Sequence, residues 1–301
     1  MSRGVFVGIC AYVLWGLSPI YWRLLDDLGA GDVVAHRIVA TAIVLAIAHL
    51  FLRSWPRLVS EARKPKVRRA AAMAGVLLAV NWIVFVWAVS AERVVQTSLG
   101  YFINPLLSVV LGVVVLGERL RRLQWIAVGL ATIGVVVLTI DLGSLPWVSL
   151  ALAGTFALYG LLRKVSPVGS LDGLSLEVGF LAPFALAVIL FRGAGDAGLV
   201  GVADPGRDLL LLGTGVVTAA PLLLFAAAAR RVDLSVVGLL QYIAPTIQFL
   251  LGVLVFGEEW AGGQVVGFAI IWLALAVFAV EGGINGQRNR TRRASLGAEP
   301  V

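Results

Sequence analysis

The chain is poor in charged residues and in the residue types on which most enzyme and metal sites depend. Only 14% of its 301 residues are charged, the histidines are His36 and His49, and the one cysteine, Cys10, excludes any intrachain disulfide. No Cys, His or Asp cluster has the spacing of a metal site. No lysine follows a glycine, which excludes a Walker A sequence and with it a built-in ATP motor. The sequence therefore predicts no metal and no other cofactor.

Long hydrophobic runs fill most of the chain. Hydrophobic residues make up 60% of it, and the mean hydropathy of +0.97 is far above that of a soluble domain. At about 20 apolar residues per bilayer crossing, the runs predict an all-α integral membrane protein with ten transmembrane helices. The ten segments cover residues 4–22, 33–52, 70–90, 94–116, 123–141, 146–162, 174–191, 208–229, 235–256 and 264–283. The first has the full length of a span, so we interpret it as retained rather than as a signal peptide.

The net charge of +7 reflects membrane orientation rather than nucleic-acid binding. Of the 24 Lys and Arg residues, 19 fall on one set of alternate loops and on the C-terminal tail, including seven within 53–69. This bias follows the positive-inside rule and predicts that both termini are cytoplasmic. The polar, basic tail, residues 285–301, is expected to be disordered and to contact lipid headgroups.

An internal repeat relates the two halves of the chain. A shift of 140 residues aligns 99–124 with 239–264, and ten of these 26 positions are identical, among them Pro105/Pro245 and Gly117-Glu118/Gly257-Glu258. Each half has five predicted spans, an odd number, so the second half would enter the membrane from the opposite face. We expect two inverted five-helix repeats, residues 1–141 and 142–284. Such repeats are typical of secondary transporters with a site near the midplane.

Three prolines, Pro105, Pro221 and Pro245, lie well inside predicted helices. A proline inside a helix deletes one backbone hydrogen bond and frees the carbonyl four residues earlier, which belongs to Tyr101 for Pro105 and to Gln241 for Pro245. Free carbonyls are tolerated in hydrocarbon only where protein or a wet cavity supplies partners. Together with Pro221 in TGVVTAAPLL, these prolines are predicted helix breaks or hinges.

Polar side chains surround two of the prolines at helical spacing. In the first half they are Tyr101, Asn104 and Ser108; in the second they are Gln241, Tyr242 and Gln248. We expect these stripes to line a polar cavity between the halves. The alternative is a packing kink whose amides are satisfied within the core, because polar residues often join membrane helices.

Two charges of opposite sign lie inside the predicted spans. Arg37 and Glu177 are related by the 140-residue shift, enter from opposite faces, and would lie roughly 15 Å apart in depth. Ionisable groups within the membrane usually face a cavity or a partner. Arg37, with His36 beside it, is therefore a candidate for binding an anionic or polar group, and Glu177 for binding a coupling proton. The alternatives are an arginine that reaches the headgroups and an interfacial carboxylate.

The remaining candidates are one further polar residue inside a span and two Gly-Glu pairs at predicted helix ends. Asn81, the repeat mate of Pro221, is a further cavity candidate. Gly117 and Gly257 suit helix ends, where glycine turns the chain. Glu118 and Glu258 would lie where the helix dipole disfavours an acid, so each is expected to pair with a cation or a backbone amide and to serve the architecture.

Several motifs together resemble the RarD family of inner-membrane permeases. The motifs are SLGYFINPL (98–106), LGERLRRLQW (116–125), YGLLRK (159–164), TAAPLLLFAAAARRVDLS (218–235) and QYIAPT (241–246). The resemblance implies the drug/metabolite transporter superfamily, with two EamA domains of five helices each, in the bacterial inner membrane. The family name is linked to chloramphenicol sensitivity. His36, Arg37 and Glu177 are also similar to family positions.

These observations favour a secondary transporter that moves a small metabolite or drug-like solute by alternating access. The alternative is a non-transporting membrane enzyme or scaffold that kept the duplicated fold. An enzyme would need a clustered nucleophile and base or a metal site. The expected partners are a small-molecule substrate, a coupling proton and membrane lipid, with no nucleic acid, and the expected assembly is a monomer or a homodimer.

Overall fold

The computed structural model describes residues 2–25, 28–91, 94–141, 147–193, 205–255, 257 and 262–296. Within these ranges the chain is helical throughout and has no strand, which confirms the predicted all-α class. The helices are α1 (Arg3–Trp22), α2 (Ala30–Phe51), α3 (Trp55–Arg63), α4 (Pro65–Ser90), α5 (Val94–Val114), α6 (Arg122–Asp141), α7 (Trp147–Val165), α8 (Ser170–Gly193), α9 (Pro205–Ala229), α10 (Leu234–Gln241), α11 (Ile243–Leu254) and α12 (Gly262–Leu296).

Most of these helices have the length and apolarity of membrane spans. Among the described residues nine candidate spans are found, with α10 and α11 together forming one, and α5 contributes a shorter apolar stretch, Leu99–Val114. Large apolar side chains such as Phe51, Phe191 and Leu254 lie exposed on the outside of the bundle, where a soluble protein would have polar groups. The protein is therefore a multi-pass membrane protein.

The basic segment 53–69 contains a helix that the sequence analysis missed. Helix α3 exposes Trp55 and Val59 together with basic residues, as a helix lying in the membrane interface does. Arg57 Nε contacts Asp172 Oδ2 of α8 at 2.9 Å, which ties α3 to the bundle. We call this end of the bundle, where α2, α5, α7 and α9 end and α8 and α10 begin, the α3 end.

Helix packing follows the repeat. Helix α1 packs on α9 and α11, and its repeat counterpart α7 packs on α4 and α5, which correspond to α9 and to α10–α11. In the same way α2 packs on α9 and α8 packs on α4. The most extensive packing pairs α6 with its own counterpart α12. These main contacts have equivalents with the halves exchanged, whereas the contacts of α3 with α4 and α8 have none.

The prolines differ in their effects on the helices. Helix α5 continues through Pro105 and α9 through Pro221, so neither proline breaks its helix, and a hinge at either position stays a prediction. The span that contains Pro245 is interrupted at Tyr242, between α10 and α11. A proline removes one hydrogen bond, which can kink a helix without ending it.

Two further predictions concern the helix ends. Gly117 and Gly257 have φ angles of +68° and +69°, the left-handed backbone that favours glycine, whereas Glu258 lies outside the described residues. The tail predicted to be disordered from residue 285 is instead helical as far as Leu296, as a continuation of α12. Arginine, glutamine and alanine in this stretch are helix formers, and proline is absent until Pro300.

Candidate functional site

Arg37 lies among aromatic side chains inside the bundle. Its Cζ is 5.3 Å from the ring centroid of Trp22 on α1 and 4.8 Å from that of Trp82 on α4. Tyr101 of α5 lies within electrostatic range of Arg37, and its ring is 6.4 Å from that of Phe85. We call these five residues the Arg37 cage.

Two members of the cage are accessible although they neighbour other helices. Tyr101 is 47% exposed, and it lies near Arg37 of α2 and Phe85 of α4. Arg37 itself is half-buried. Its Nε is buried without a hydrogen-bond partner, and no described carboxylate lies within salt-bridge distance of its guanidinium.

His36 is oriented by its own helix. Its Nδ1 lies 2.8 Å from the backbone oxygen of Asp32, and because a carbonyl only accepts, Nδ1 carries the proton. The other ring nitrogen, Nε2, is buried and has no hydrogen-bond partner. His36 therefore offers an unused acceptor next to Arg37 in the sequence.

A second polar group lies near the middle of the spans. The Gln241 amide donates to Ser108 Oγ at 3.2 Å, and Ser108 Oγ donates to Asn104 Oδ1 at 3.5 Å. Tyr12 of α1 lies beside Gln241, yet neither the Tyr12 hydroxyl nor Gln241 Oε1 has a hydrogen bond of normal geometry. We call Tyr12, Asn104, Ser108 and Gln241 the midplane cluster. Buried polar atoms that lack well-formed hydrogen bonds are costly, which makes this cluster a second candidate position for a polar solute.

The predicted first-half stripe is therefore divided between two places, because Tyr101 belongs to the cage whereas Asn104 and Ser108 belong to the midplane cluster. Tyr12 was missed because one tyrosine in an apolar span carries no signal of its own. The other candidates hold helices together. The Tyr242 hydroxyl donates to the Phe102 carbonyl at 3.2 Å and Gln248 Nε2 to the Trp15 carbonyl at 3.2 Å.

Asn81 also joins two helices. Its amide nitrogen donates to the Leu152 carbonyl and to Thr155 Oγ1, both at 2.9 Å. Both acceptors belong to α7, so the Asn81 amide hydrogens are used in holding α4 against α7. A solute could reach only its carbonyl oxygen.

Glu177 forms a buried ion pair that the sequence analysis missed. Arg163 Nη1 donates to Glu177 Oε1 at 2.8 Å, and the Tyr159 hydroxyl donates to Oε2 at 3.1 Å. Arg163 and Glu177 are each 1% exposed. The prediction had counted Arg163 among the loop residues and Arg37 as the only basic residue well inside a span.

Helix geometry explains the pairing of Arg163 with Glu177. Side chains lean toward the N-terminus of their helix. Arg163, near the end of α7, therefore leans into the bundle, and Glu177 on α8 leans toward the α3 end. A Cβ atom at Gly173 would overlap the Arg163 guanidinium, so this glycine makes the room.

Glu118 links the two halves of the chain at the α3 end. Its carboxylate accepts from the backbone amides of Leu234 and Ser235 at 2.6 and 2.9 Å, and from Ser235 Oγ at 2.8 Å. These are orphan donors at the start of α10, where a negative charge also suits the helix dipole. Lys164 Nζ lies 3.5 Å from the same carboxylate and donates to the Val232 carbonyl at 2.6 Å.

Positive charge is concentrated at the α3 end. Partial burial, with the charges of Arg163 and Arg231 nearby, lowers the pKa of the Arg230 guanidinium. In the part of the chain that the structure describes, no group of three or more His, Cys, Asp or Glu side chains could hold a metal ion. The candidate site offers hydrogen-bonding groups, the Arg37 guanidinium and aromatic surfaces.

The sequence is similar to a transporter family over its first half and to individual RarD and transporter proteins over nearly its whole length. The model of the EamA-like transporter family matches residues 2–140. A RarD protein of Streptomyces exfoliatus is 45% identical over 289 residues, which cover 96% of this chain and 92% of the relative. The RarD protein of Escherichia coli is 39% identical, with 93% and 94% covered. An uncharacterized transporter of Vibrio cholerae is 40% identical, with 97% of each chain covered.

The fold also matches a solved structure. A crystal structure superposes with a TM-score of 0.70 at 21% sequence identity, over 92% of this chain and 97% of the other. At that identity the similarity concerns the fold alone. It supports the arrangement of the helices, and the conclusions about the site depend on the residues described above.

Proposed function

This chain belongs to the RarD family of EamA-like transporters in the drug/metabolite transporter superfamily, and from that premise we propose that it is a secondary transporter. It would move a small metabolite or drug-like solute across the bacterial inner membrane by alternating access. The relatives are named as transporters or as RarD proteins. These names favour a transporter over an enzyme.

The observation that carries this proposal is the difference between the two ends of the interior. Glu118 caps α10 from the other half at the α3 end, and the Arg163–Glu177 pair joins α7 to α8 there. In the Arg37 cage, by contrast, Tyr101 is exposed and Arg37 is only half-buried. A carrier with access from one side has this combination of a closed end and a reachable interior.

The exchange of packing partners between the halves supports an inverted repeat. In the proposed cycle the halves swap their conformations, so that the opposite end closes as the α3 end opens. The bias of basic residues supports a cytoplasmic α3 end and cytoplasmic termini. The conformation described would then be open toward the outside.

A proton remains the proposed coupling ion, with Glu177 as its candidate site. The contact with Arg163 also gives this carboxylate a structural role that is independent of any proton. If Glu177→Gln left transport and its dependence on a proton gradient unchanged, coupling through this residue would be ruled out.

Alternating access can be tested without knowing the solute. In a Cys10→Ser background, a cysteine replaces either Tyr101, which is exposed in the cage, or Leu234, which is fully buried at the start of α10. We expect a membrane-impermeant maleimide to label Tyr101→Cys and to spare Leu234→Cys in proteoliposomes of defined orientation. Solutes or gradients that drive the cycle should raise labelling at one position as they lower it at the other.

Glu118→Gln supplies a directed perturbation for the same assay. It removes the negative charge that caps α10 and contacts Lys164, so we expect faster labelling of Leu234→Cys and slower labelling of Tyr101→Cys. The matched control is Glu61→Gln on α3, which loses a contact to Lys64 only. Labelling rates that rose or fell together at the two positions would contradict alternating access.

A further inference from the structure

We propose that the Arg37 cage binds the carboxylate of an amphipathic solute whose apolar body contacts the surrounding rings. The inference rests on the proposed function, because the ligand would be the transported solute. It specifies the chemical class of the transported solute, which the family resemblance leaves open.

The first step is the contrast between the two interior guanidinium groups. Arg163 has Glu177 at 2.8 Å and further acceptors in the carbonyls of Gly169 and Ser170. Arg37 has neither an ion pair nor a side-chain hydrogen bond to any described residue, whereas the buried Nε of both arginines lacks a partner. A cation inside the membrane is costly unless an anion or water compensates it. Arg37 therefore lacks the anion that a purely structural arginine has.

The second step is the shape of the surroundings. The rings of Trp22 and Trp82 lie 5.3 and 4.8 Å from the Arg37 Cζ, which stabilises the cation without neutralising it. Because Nε is buried, the terminal nitrogens are the donors that Arg37 has for a ligand. They can donate two parallel hydrogen bonds, the geometry that matches a carboxylate.

The third step is the surface next to the guanidinium. The accessible ring of Tyr101 and that of Phe85 extend the cage with aromatic surface. A solute bound by its carboxylate would place its remaining atoms against these rings, where burial of apolar surface adds affinity. The combination selects a negatively charged group attached to an apolar or aromatic body.

The test is equilibrium binding to the purified full-length protein in detergent, without any gradient. The probes are radiolabelled matched triplets of acid, amide and amine: phenylacetate, phenylacetamide and phenethylamine, and the same set built on indole and on isobutyl. We expect the acids to bind at least about 10-fold more tightly than their amides, the effect of a charge-assisted hydrogen bond. The preference should vanish in Arg37→Gln and persist in part in Arg37→Lys.

Two controls separate binding from folding. Arg231→Gln removes the same charge from an exposed position at the α3 end and should leave the acid preference unchanged. Arg37→Gln should unfold at or above the wild-type temperature, because it leaves no described partner without its counter-charge. A lower melting temperature with no change in acid binding would assign Arg37 a structural role and overturn the proposal.

Other outcomes also decide the matter. Equal binding of acids and amides, or an acid preference that survives Arg37→Gln, would overturn it, as would tighter binding of phenyl phosphate than of the carboxylates. Because binding is measured without transport, a failed acid preference in a protein that still shows opposed cysteine labelling would leave the transporter proposal standing. Acid binding without opposed labelling would refute the transporter proposal alone.

Discussion

The two interior arginines differ in what surrounds them, although both are guanidinium groups in an apolar bundle. Arg163 is enclosed with Glu177 and Tyr159, whereas Arg37 has aromatic rings and accessible space. Removing one member of a buried ion pair leaves an uncompensated charge, while removing an unpaired cation does not. Their substitutions should therefore have opposite effects on stability.

The Arg163–Glu177 pair allows a double-mutant test. We expect Glu177→Leu and Arg163→Met each to lower the free energy of unfolding by about 3 kcal/mol or more, and the double variant to recover most of this loss. Denaturant titration of the purified protein measures all three. Lys64→Met is the matched control, because Lys64 and Glu61 both pair from partly exposed positions, and its loss should cost less than about 1 kcal/mol. Additive losses in the double variant would refute the coupling.

The sequence identified Arg37 and Glu177 as interior charges but assigned Arg163 to a loop. Arg163 lies two residues before the end of α7, but its side chain leans back into the bundle, which the position in the sequence does not reveal. Counting charges by loop ignores this direction and the length of an arginine. The nearby Gly173, one helical turn before Glu177 on α8, was the available signal, because small residues permit close approach.

At the scale of helices, glycine determines how closely α6 and α12 pack. A Cβ at Gly134 would lie 2.7 Å from Ile271 Cγ1 and 3.0 Å from the Gly267 carbonyl oxygen, and one at Gly267 would lie 2.5 Å from Leu138 Cγ. Small residues at such positions let two membrane helices approach through their backbones. A side chain there must force the helices apart.

Two glycines on α6 give a matched comparison. Gly134→Ala should lower the free energy of unfolding by about 1–3 kcal/mol through overpacking. Gly129→Ala should leave it unchanged or raise it, because nothing lies within 4 Å of the added methyl group and alanine favours the helix. Thermal unfolding followed by size-exclusion chromatography measures both. Equal melting temperatures for the two variants would contradict the packing argument.

Hydropathy located the membrane spans well. It did not predict the features that depend on individual side chains, namely helix α3 and the interruption beside Pro245. Helix α3 was missed because its nine residues are too polar to register as a span. Pro105 and Pro245 looked equivalent, yet only the second lies beside an interrupted helix. Thr246 donates its hydroxyl to the Tyr242 carbonyl at 2.7 Å, a bond that bends helices, and its repeat counterpart, Leu106, has no hydroxyl.

At the scale of the whole molecule, charge is distributed unequally between the two ends. The basic residues of α3, the ends of α7 and α9, and the start of α6 belong to the same end of the bundle. The alternation of basic and nearly uncharged loops along the sequence predicts this gathering. Orientation in the bilayer stays a prediction, because only a membrane distinguishes inside from outside.

Topology mapping tests the inverted arrangement. Single cysteines at Arg119 and at Glu258, in the Cys10→Ser background, should react with an impermeant maleimide from opposite sides of the membrane in intact cells, with Arg119→Cys protected and Glu258→Cys labelled. Cysteines at Ser2 and Ser295 should both be protected. Labelling of positions 119 and 258 from the same side would exclude the inverted repeat, whatever the family.

The interruption at Tyr242 has a consequence for the resting carrier. If the halves were identical, the inward-open and outward-open forms of the proposed cycle would be related by a two-fold rotation and would have equal free energy. Because α5 is continuous and its counterpart is not, exchanging their conformations bends one continuous helix and straightens one interrupted helix, at different energetic cost. Every 1.4 kcal/mol of this difference changes the ratio of the two forms about tenfold. We therefore expect most molecules of the empty protein to be open toward the same side of the membrane. A solute can then reverse this preference only by as much as it binds one form better than the other.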